Sequence, residues 1–266
     1  MVFRALIFDS GVGGLSVVSE IRRALPNLAL DYAADDEFRP YGEKSAAQLQ
    51  RRLPALLSIL TDMTQPDLVV IACNTASTTA LAHIRAALNI PVVGVVPAIK
   101  PAASATRTGT LAVLGTPGTV AREYVDELIT DFANDKQVLL LGSVNLVDMA
   151  EEKLEGKAVS CDRIKAELSP LFSGQSGADI DTVVLACTHF PLLRDELKAA
   201  VTQTVQWIDS GEAIARRVNS IVKTLERPTH QSERPDTAFL VGPNTPQARR
   251  QAFIRYGFSK VIALKP

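Results

Sequence analysis

Cysteine, histidine and tryptophan are scarce in this chain, with 3, 3 and 1 copies among 266 residues. The odd cysteine count argues against a disulfide framework and leaves the thiols for reactivity, metal binding or packing. The opening MVFRALIFDSG lacks the basic segment, sustained apolar core and small-residue cleavage site of a secretion signal, and no apolar run approaches membrane-spanning length. The expectation is a cytoplasmic protein with no membrane partner. An excess of charge of one sign is also missing: 28 Lys and Arg stand against 29 Asp and Glu, a formal charge of −1. Nothing there would attract a phosphate backbone, so nucleic acid is not expected as a partner. At 47% hydrophobic and 21% charged residues the composition is that of an ordinary globular protein, and the length allows one large domain or two.

What is present is a repeated strand tip. DLVVIACNTAS at residues 67–77 and DTVVLACTH at 181–189 match at Asp, both central valines, Ala and Cys. Short Val/Ile/Leu-rich runs alternate with longer stretches of helical period, which predicts an α/β fold of parallel strands joined by crossover helices. Strands are expected at 3–8, 29–34, 68–72, 91–95, 110–114, 137–141, 182–186 and 205–208, with a final one at 237–241. The proline-bearing passage VGVVPAIKPAASATRTGT at residues 93–110 reads as a junction. Two domains are expected, 1–98 plus 207–266 and 99–206, with the polar segment 226–236 an exposed loop.

In open parallel sheets ligands settle beyond the carboxyl ends of the strands, and the chemistry-bearing residues all fall there. GVGGLS at 11–16 lacks the last glycine of a dinucleotide fingerprint, although Asp35 could imitate the downstream ribose-binding acid; a tight turn near a small anion serves equally well. Asp9 could cap the following helix through Ser10 or accept backbone hydrogen bonds. A lone buried cysteine is usually a small hydrophobe. Cys73 and Cys187, in duplicated settings and followed by hydroxyl or amide residues, weaken that reading, and a helix N-terminus would favour a thiolate. Cys161, His83 and His230 lack such settings and receive no role. Zinc on Cys73, Cys187 and His189 ranks low, with no C-x-x-C pair and no evident fourth ligand.

A base that removes a proton from a tetrahedral carbon leaves a planar carbanion, and inversion requires reprotonation on the opposite face. Two acid/base groups solve that geometry when one starts as thiolate and the other as thiol. FDSGVGGLSV, RPYGEKS, ACNTAS, LGTPGTV, ACTHFPLL and DSGEAIARR, in this order across nearly the whole chain, closely resemble the bacterial glutamate racemases of the aspartate/glutamate racemase family. The resemblance implies two pseudosymmetric α/β domains, each with a mainly parallel central sheet flanked by helices, and an active site in the cleft between them. It implies a cofactor-independent enzyme that interconverts L- and D-glutamate and supplies the D-isomer for peptidoglycan. A homodimer is left open.

Carried onto this sequence, the resemblance makes Cys73 the acid/base for the D-isomer's proton and Cys187 that for the L-isomer's, assisted by Asp9 and His189. Ser10, Tyr41, Gly42, Asn74, Thr75 and Thr188 would hold the amino acid together with Asp9 and His189, with Thr119 a further contact. Glu151 would orient the histidine side, with Glu152 its competitor. The pattern departs just before that glutamate, where many relatives have Cys-Pro and this chain has Val144 and Asn145. Without the long N-terminal extension of relatives regulated by a cell-wall precursor, no such activation is expected. Three alternatives remain: a racemase for aspartate or another acidic amino acid, a Cys-His acyl transferase or hydrolase, and a noncatalytic small-anion module.

Overall fold

A computed structural model describes residues 2–226, 234–242 and 246–265. Most of the polar segment 226–236, with His230, lies outside them. The strands in chain order are β1 (Arg4–Asp9), β2 (Ala29–Ala34), β3 (Leu68–Ile71), β4 (Val92–Val93), β5 (Thr110–Gly115), β6 (Gln137–Gly142), β7 (Thr182–Leu185), β8 (Gln206–Ile208), β9 (Thr237–Val241) and β10 (Lys260–Leu264). The helices are α1 (Leu15–Ala24), α2 (Ala46–Thr64), α3 (Asn74–Ala87), α4 (Ile99–Ala105), α5 (Pro117–Val120), α6 (Glu123–Phe132), α7 (Asn145–Leu154), α8 (Cys161–Phe172), α9 (Arg194–Ala200), α10 (Gly211–Val222) and α11 (Gln247–Arg255). The architecture is α/β. The chain divides into two compact units, Met1–Val95 with Gly211–Pro266, and Val96–Ser210.

The first unit holds a six-stranded sheet in the order β10-β9-β2-β1-β3-β4, and every pair in it is parallel. LVVI in β3 is buried at all positions, as expected of a strand covered by helices on both faces. The apolar side of α2 (Leu49, Leu53, Leu57, Leu60) and of α3 (Ala76, Ala80, Ile84) packs against Leu6, Phe8, Val69 and Ile71. A capping box fixes the start of α2: the Gln48 amide donates to Ser45 Oγ at 3.3 Å and the Ser45 amide to Gln48 Oε1 at 2.9 Å. Strand β10 corrects the expectation that the sheet ends at 237–241.

The second unit holds a four-stranded parallel sheet, β6-β5-β7-β8. Numbered within each unit, the first four strands of both sheets lie in the order second-first-third-fourth. That order reverses direction between the first and third strands, so a crevice opens beyond their carboxyl ends. Cysteine follows the third strand in both units.

Candidate active site

In the first unit β1 and β3 end level, because the Ala72 amide donates to the Phe8 carbonyl at 2.8 Å. The turn after β1 therefore stands beside Cys73. Asp9 is fully buried, and its Oδ1 accepts from the Gly11 amide at 2.9 Å and from the Ser10 hydroxyl at 3.4 Å. Helix α1 starts from Gly14 without a side-chain cap, so Asp9 and Ser10 brace their own turn rather than capping that helix. Ser10 Oγ lies 3.7 Å from Cys73 Sγ.

Cys73 is the N-cap of α3, and its sulfur accepts from the Ala76 amide at 3.5 Å. The partial positive charge of that helix end favours thiolate. Asn74 and Thr75 open the helix and are buried. Among the described residues Asn74 Oδ1 is buried with no hydrogen-bond donor, an acceptor able to receive an ammonium group.

Tyr41 and Gly42 sit in a single 3₁₀ turn, Tyr41–Glu43. The Tyr41 hydroxyl donates to Asp35 at 2.7 Å, and Arg52 grips the same carboxylate with two bonds of 2.7 Å. Burial, reinforced by the Asp35 charge, holds the Tyr41 phenol well above its ordinary pKa. Asp35 is thus an internal anchor for this turn rather than a ribose-binding acid. Sequence reasoning missed Arg52, whose contact spans 17 positions.

In the second unit the Ala186 amide donates to the Leu114 carbonyl at 2.8 Å, the counterpart of the Ala72 bond in the first. Beyond that bond the two units diverge. Pro191 opens a 3₁₀ turn, Phe190–Leu193, whose N-cap is His189, so Cys187 does not head an α-helix as Cys73 does. Its support is the histidine: Cys187 Sγ lies 3.8 Å from His189 Nδ1, and His189 Nε2 lies 3.3 Å from Glu151 Oε1. Burial works against a charge on this ring, yet its contacts with Cys187 and Glu151 prevail and raise its pKa to about 10. As an imidazolium it donates from one nitrogen toward the sulfur and from the other to the carboxylate.

Glu152 is instead bound by Arg163 at 2.6 Å on the exposed side of α7, so Glu151 is the glutamate beside His189. The departure at Val144 and Asn145 leaves α7 well founded: Ser143 Oγ and Asn145 Nδ2 each donate to Glu167 at 2.6 Å. Lys153, a residue the sequence did not single out, donates to the Leu192 carbonyl at 2.8 Å and ties α7 to the turn after His189. Thr188 is buried beside Cys187. Thr119 is buried beyond the end of β5, its hydroxyl 2.9 Å from that of Thr116. Cys161 points its thiol at the Ala199 carbonyl, 3.6 Å away, apart from these groups. Among the described residues no group of three His, Cys, Asp or Glu side chains could hold a metal ion, and no helix is long and apolar enough to cross a membrane.

Two sulfurs at matching strand ends, each with its own proton-handling neighbours, are the equipment of acid/base chemistry at carbon. A family model described as Asp/Glu/Hydantoin racemase matches residues 12–218. The chain belongs to this racemase family. It is accordingly an enzyme of the isomerase class. It is similar to the glutamate racemase of Sphingopyxis alaskensis, at 53% identity over 213 residues, 80% of this chain and 80% of that protein. Among solved racemases it resembles Escherichia coli glutamate racemase in complex with L-glutamate and the activator UDP-MurNAc-ala. Identity is 44% and the TM-score 0.94, covering 100% of this chain and 99% of that one. The glutamate racemase isoform RacE1 from Bacillus anthracis is similar at 28% identity and a TM-score of 0.77, covering 99% and 97%.

Proposed function

We propose that this enzyme interconverts L- and D-glutamate without a cofactor, by two-base proton transfer at C2, and that it supplies D-glutamate for peptidoglycan in the cytoplasm. The observation that carries the reading is the pair of cysteines after the third strand of each sheet, in a chain similar to glutamate racemases across nearly its whole length. Cys73, held as thiolate by the α3 N-terminus, takes the C2 proton of the D-isomer, and Cys187 returns one to the opposite face. In the other direction the roles exchange. Asp9 handles protons on the Cys73 side and His189, oriented by Glu151, on the Cys187 side.

Ser10, Asn74, Thr75 and Thr188 bind the amino acid by side-chain and backbone hydrogen bonds. The unsatisfied Asn74 Oδ1 suits its ammonium group. The Tyr41 hydroxyl is engaged by Asp35, so this turn offers the ligand its backbone at Tyr41 and Gly42. Thr119 is a further contact. Electrostatic stabilisation of the carbanion falls to these buried donors, which lie in a setting of low dielectric.

The test is inversion of L-glutamate and L-aspartate monitored by circular dichroism without added cofactor, with C2 proton loss recorded in heavy water. Exchange with glutamate supports the reading; a preference for aspartate would move the substrate within the family, and exchange with neither would overturn the reading. The line Cys187–His189–Glu151 also matches a nucleophile, its base and an orienting acid. A trapped acyl-enzyme that forms equally well in Cys73→Ser would favour that second reading. The E. coli relative is in complex with an activator, so racemisation is to be measured with and without UDP-MurNAc-ala.

A further inference from the structure

The middle of β2 carries a tyrosine where a parallel-sheet core would normally place a purely apolar side chain. Tyr32 is completely buried, level with Ile7 of β1. A phenolic hydroxyl taken out of water is costly unless it is hydrogen-bonded. This one donates to the Gly11 carbonyl at 2.8 Å, and the Gly14 amide directs its N–H toward the phenol oxygen itself. Both partners belong to the glycine turn between β1 and α1, which begins at Asp9 and Ser10.

The rest of the ring packs among aromatic side chains. Phe253 and Phe258 meet it edge to face at centroid distances of 5.0 and 5.9 Å, and they meet each other at 5.9 Å. The fit at the turn is close enough that a Cβ on Gly14 would come within 2.7 Å of the Tyr32 hydroxyl and 3.0 Å of Asp9 Cβ.

We infer that Tyr32 is a positioning residue for racemisation: its buried hydroxyl fixes the Gly11–Gly14 turn and through it the placement of Asp9 and Ser10 against Cys73. This rests on Cys73 being one of the two proton-transferring thiols. The phenol stays protonated, and hence a donor, because burial and the nearby Asp9 charge push its pKa well above the ordinary range.

The test compares Tyr32→Phe with Phe253→Leu, which loosens the same aromatic cluster while keeping the hydroxyl. Glutamate racemisation, melting temperature and the pH dependence of Cys73 alkylation by iodoacetamide, read at the Cys73 peptide by mass spectrometry, are measured for each. Tyr32→Phe is expected to lower kcat by about tenfold or more, the effect of leaving a buried acceptor unpaired, and to displace the pH midpoint of Cys73 alkylation. Phe253→Leu is expected to lose stability while keeping kcat within about twofold and the wild-type midpoint. Gly14→Ala, whose backbone lies in the right-handed helical region that alanine adopts readily, should reproduce the Tyr32→Phe effects by pushing the hydroxyl aside.

Wild-type kcat and midpoint in a folded Tyr32→Phe, or equal kcat losses in the two aromatic variants, would overturn the inference. If Tyr32→Phe does not fold, Gly14→Ala decides alone, and wild-type behaviour there overturns it. Failure of the wild-type protein to racemise glutamate would overturn the proposed function instead, and the alkylation profile would still report on the role of Tyr32.

Discussion

Replacing Glu151 by glutamine keeps the shape of the side chain and removes the charge that faces His189 Nε2 at 3.3 Å. The two side chains are 14% and 7% exposed, so the bond belongs with buried charged hydrogen bonds, worth about 1.5–3 kcal/mol, rather than with surface ion pairs. It is longer than the roughly 2.7–2.9 Å of a well-formed charged pair, which places its worth near the lower middle of that range, about 2 kcal/mol. At about 1.4 kcal/mol per pH unit, the variant should lose the His189 proton about 1.5 pH units below the wild-type value of about 10. Because the folded pKa lies above the ordinary value of 6.5, the stabilisation is complete below that value and fades as pH rises toward 10. Denaturant unfolding should therefore show Glu151→Gln weaker by about 2 kcal/mol near pH 6 and nearly equal to wild type near pH 10. Ring NMR of labelled histidine, assigned by the signal missing in His189→Gln, should show a wild-type ring that does not titrate across neutral pH. A wild-type ring titrating near 6.5, or a stability difference independent of pH, would refute the reasoning.

Arg52→Leu leaves the fully buried Asp35 carboxylate without its two-pronged partner. The loss expected is about 3 kcal/mol in unfolding free energy, with a raised KM as the Tyr41–Gly42 turn loosens; an unchanged melting temperature and KM would contradict this. Asp181 accepts from the Thr106 hydroxyl at 2.7 Å and from the Arg107 and Thr108 amides at 2.8 and 3.2 Å. Although burial opposes ionisation, these bonds hold its pKa down to about 2. Asp181→Ala should cost about 1–2 kcal/mol at neutral pH, and the gap should close as pH falls from the ordinary 3.8 toward about 2; a gap that persists in acid would show that the carboxylate charge is not the cause.

The α/β class was legible because the runs LVVI and TVVL are buried on both faces of parallel sheets, and such strands read as continuous apolar stretches. Strand β10 was not. Its lysine-led KVIAL is partly exposed at the sheet edge and lacks both the continuous apolar run and a clean alternation. Cys73 and Cys187 were legible through their repeated contexts, but the repeat conceals their different supports. NTASTTALAH continues as a helix, whereas Phe190 and Pro191 turn the chain into a 3₁₀ segment that brings His189 to the sulfur.

The choice between Glu151 and Glu152 was closed to the sequence because adjacent helical residues face different ways, and what draws Glu152 aside is Arg163 on another helix. Tyr32 and Arg52 escaped notice for a related reason. A tyrosine in a strand looks like core and an arginine in an amphipathic helix looks like surface, until the fold reveals the carbonyl or carboxylate that each one meets.

The claim that one thiol serves each face of C2 is tested most directly by where deuterium first lands. Protiated L- or D-glutamate is converted in heavy water, and early product and recovered substrate are separated by chirality and weighed by mass spectrometry, for wild type, Cys73→Ser and Cys187→Ser. The account predicts deuterium at C2 in the product from the first turnovers, substrate that stays protiated, and racemisation at least about a hundredfold slower in either folded serine variant. Substrate that gains deuterium as fast as product forms, together with a serine variant that still racemises at the wild-type rate, would contradict it.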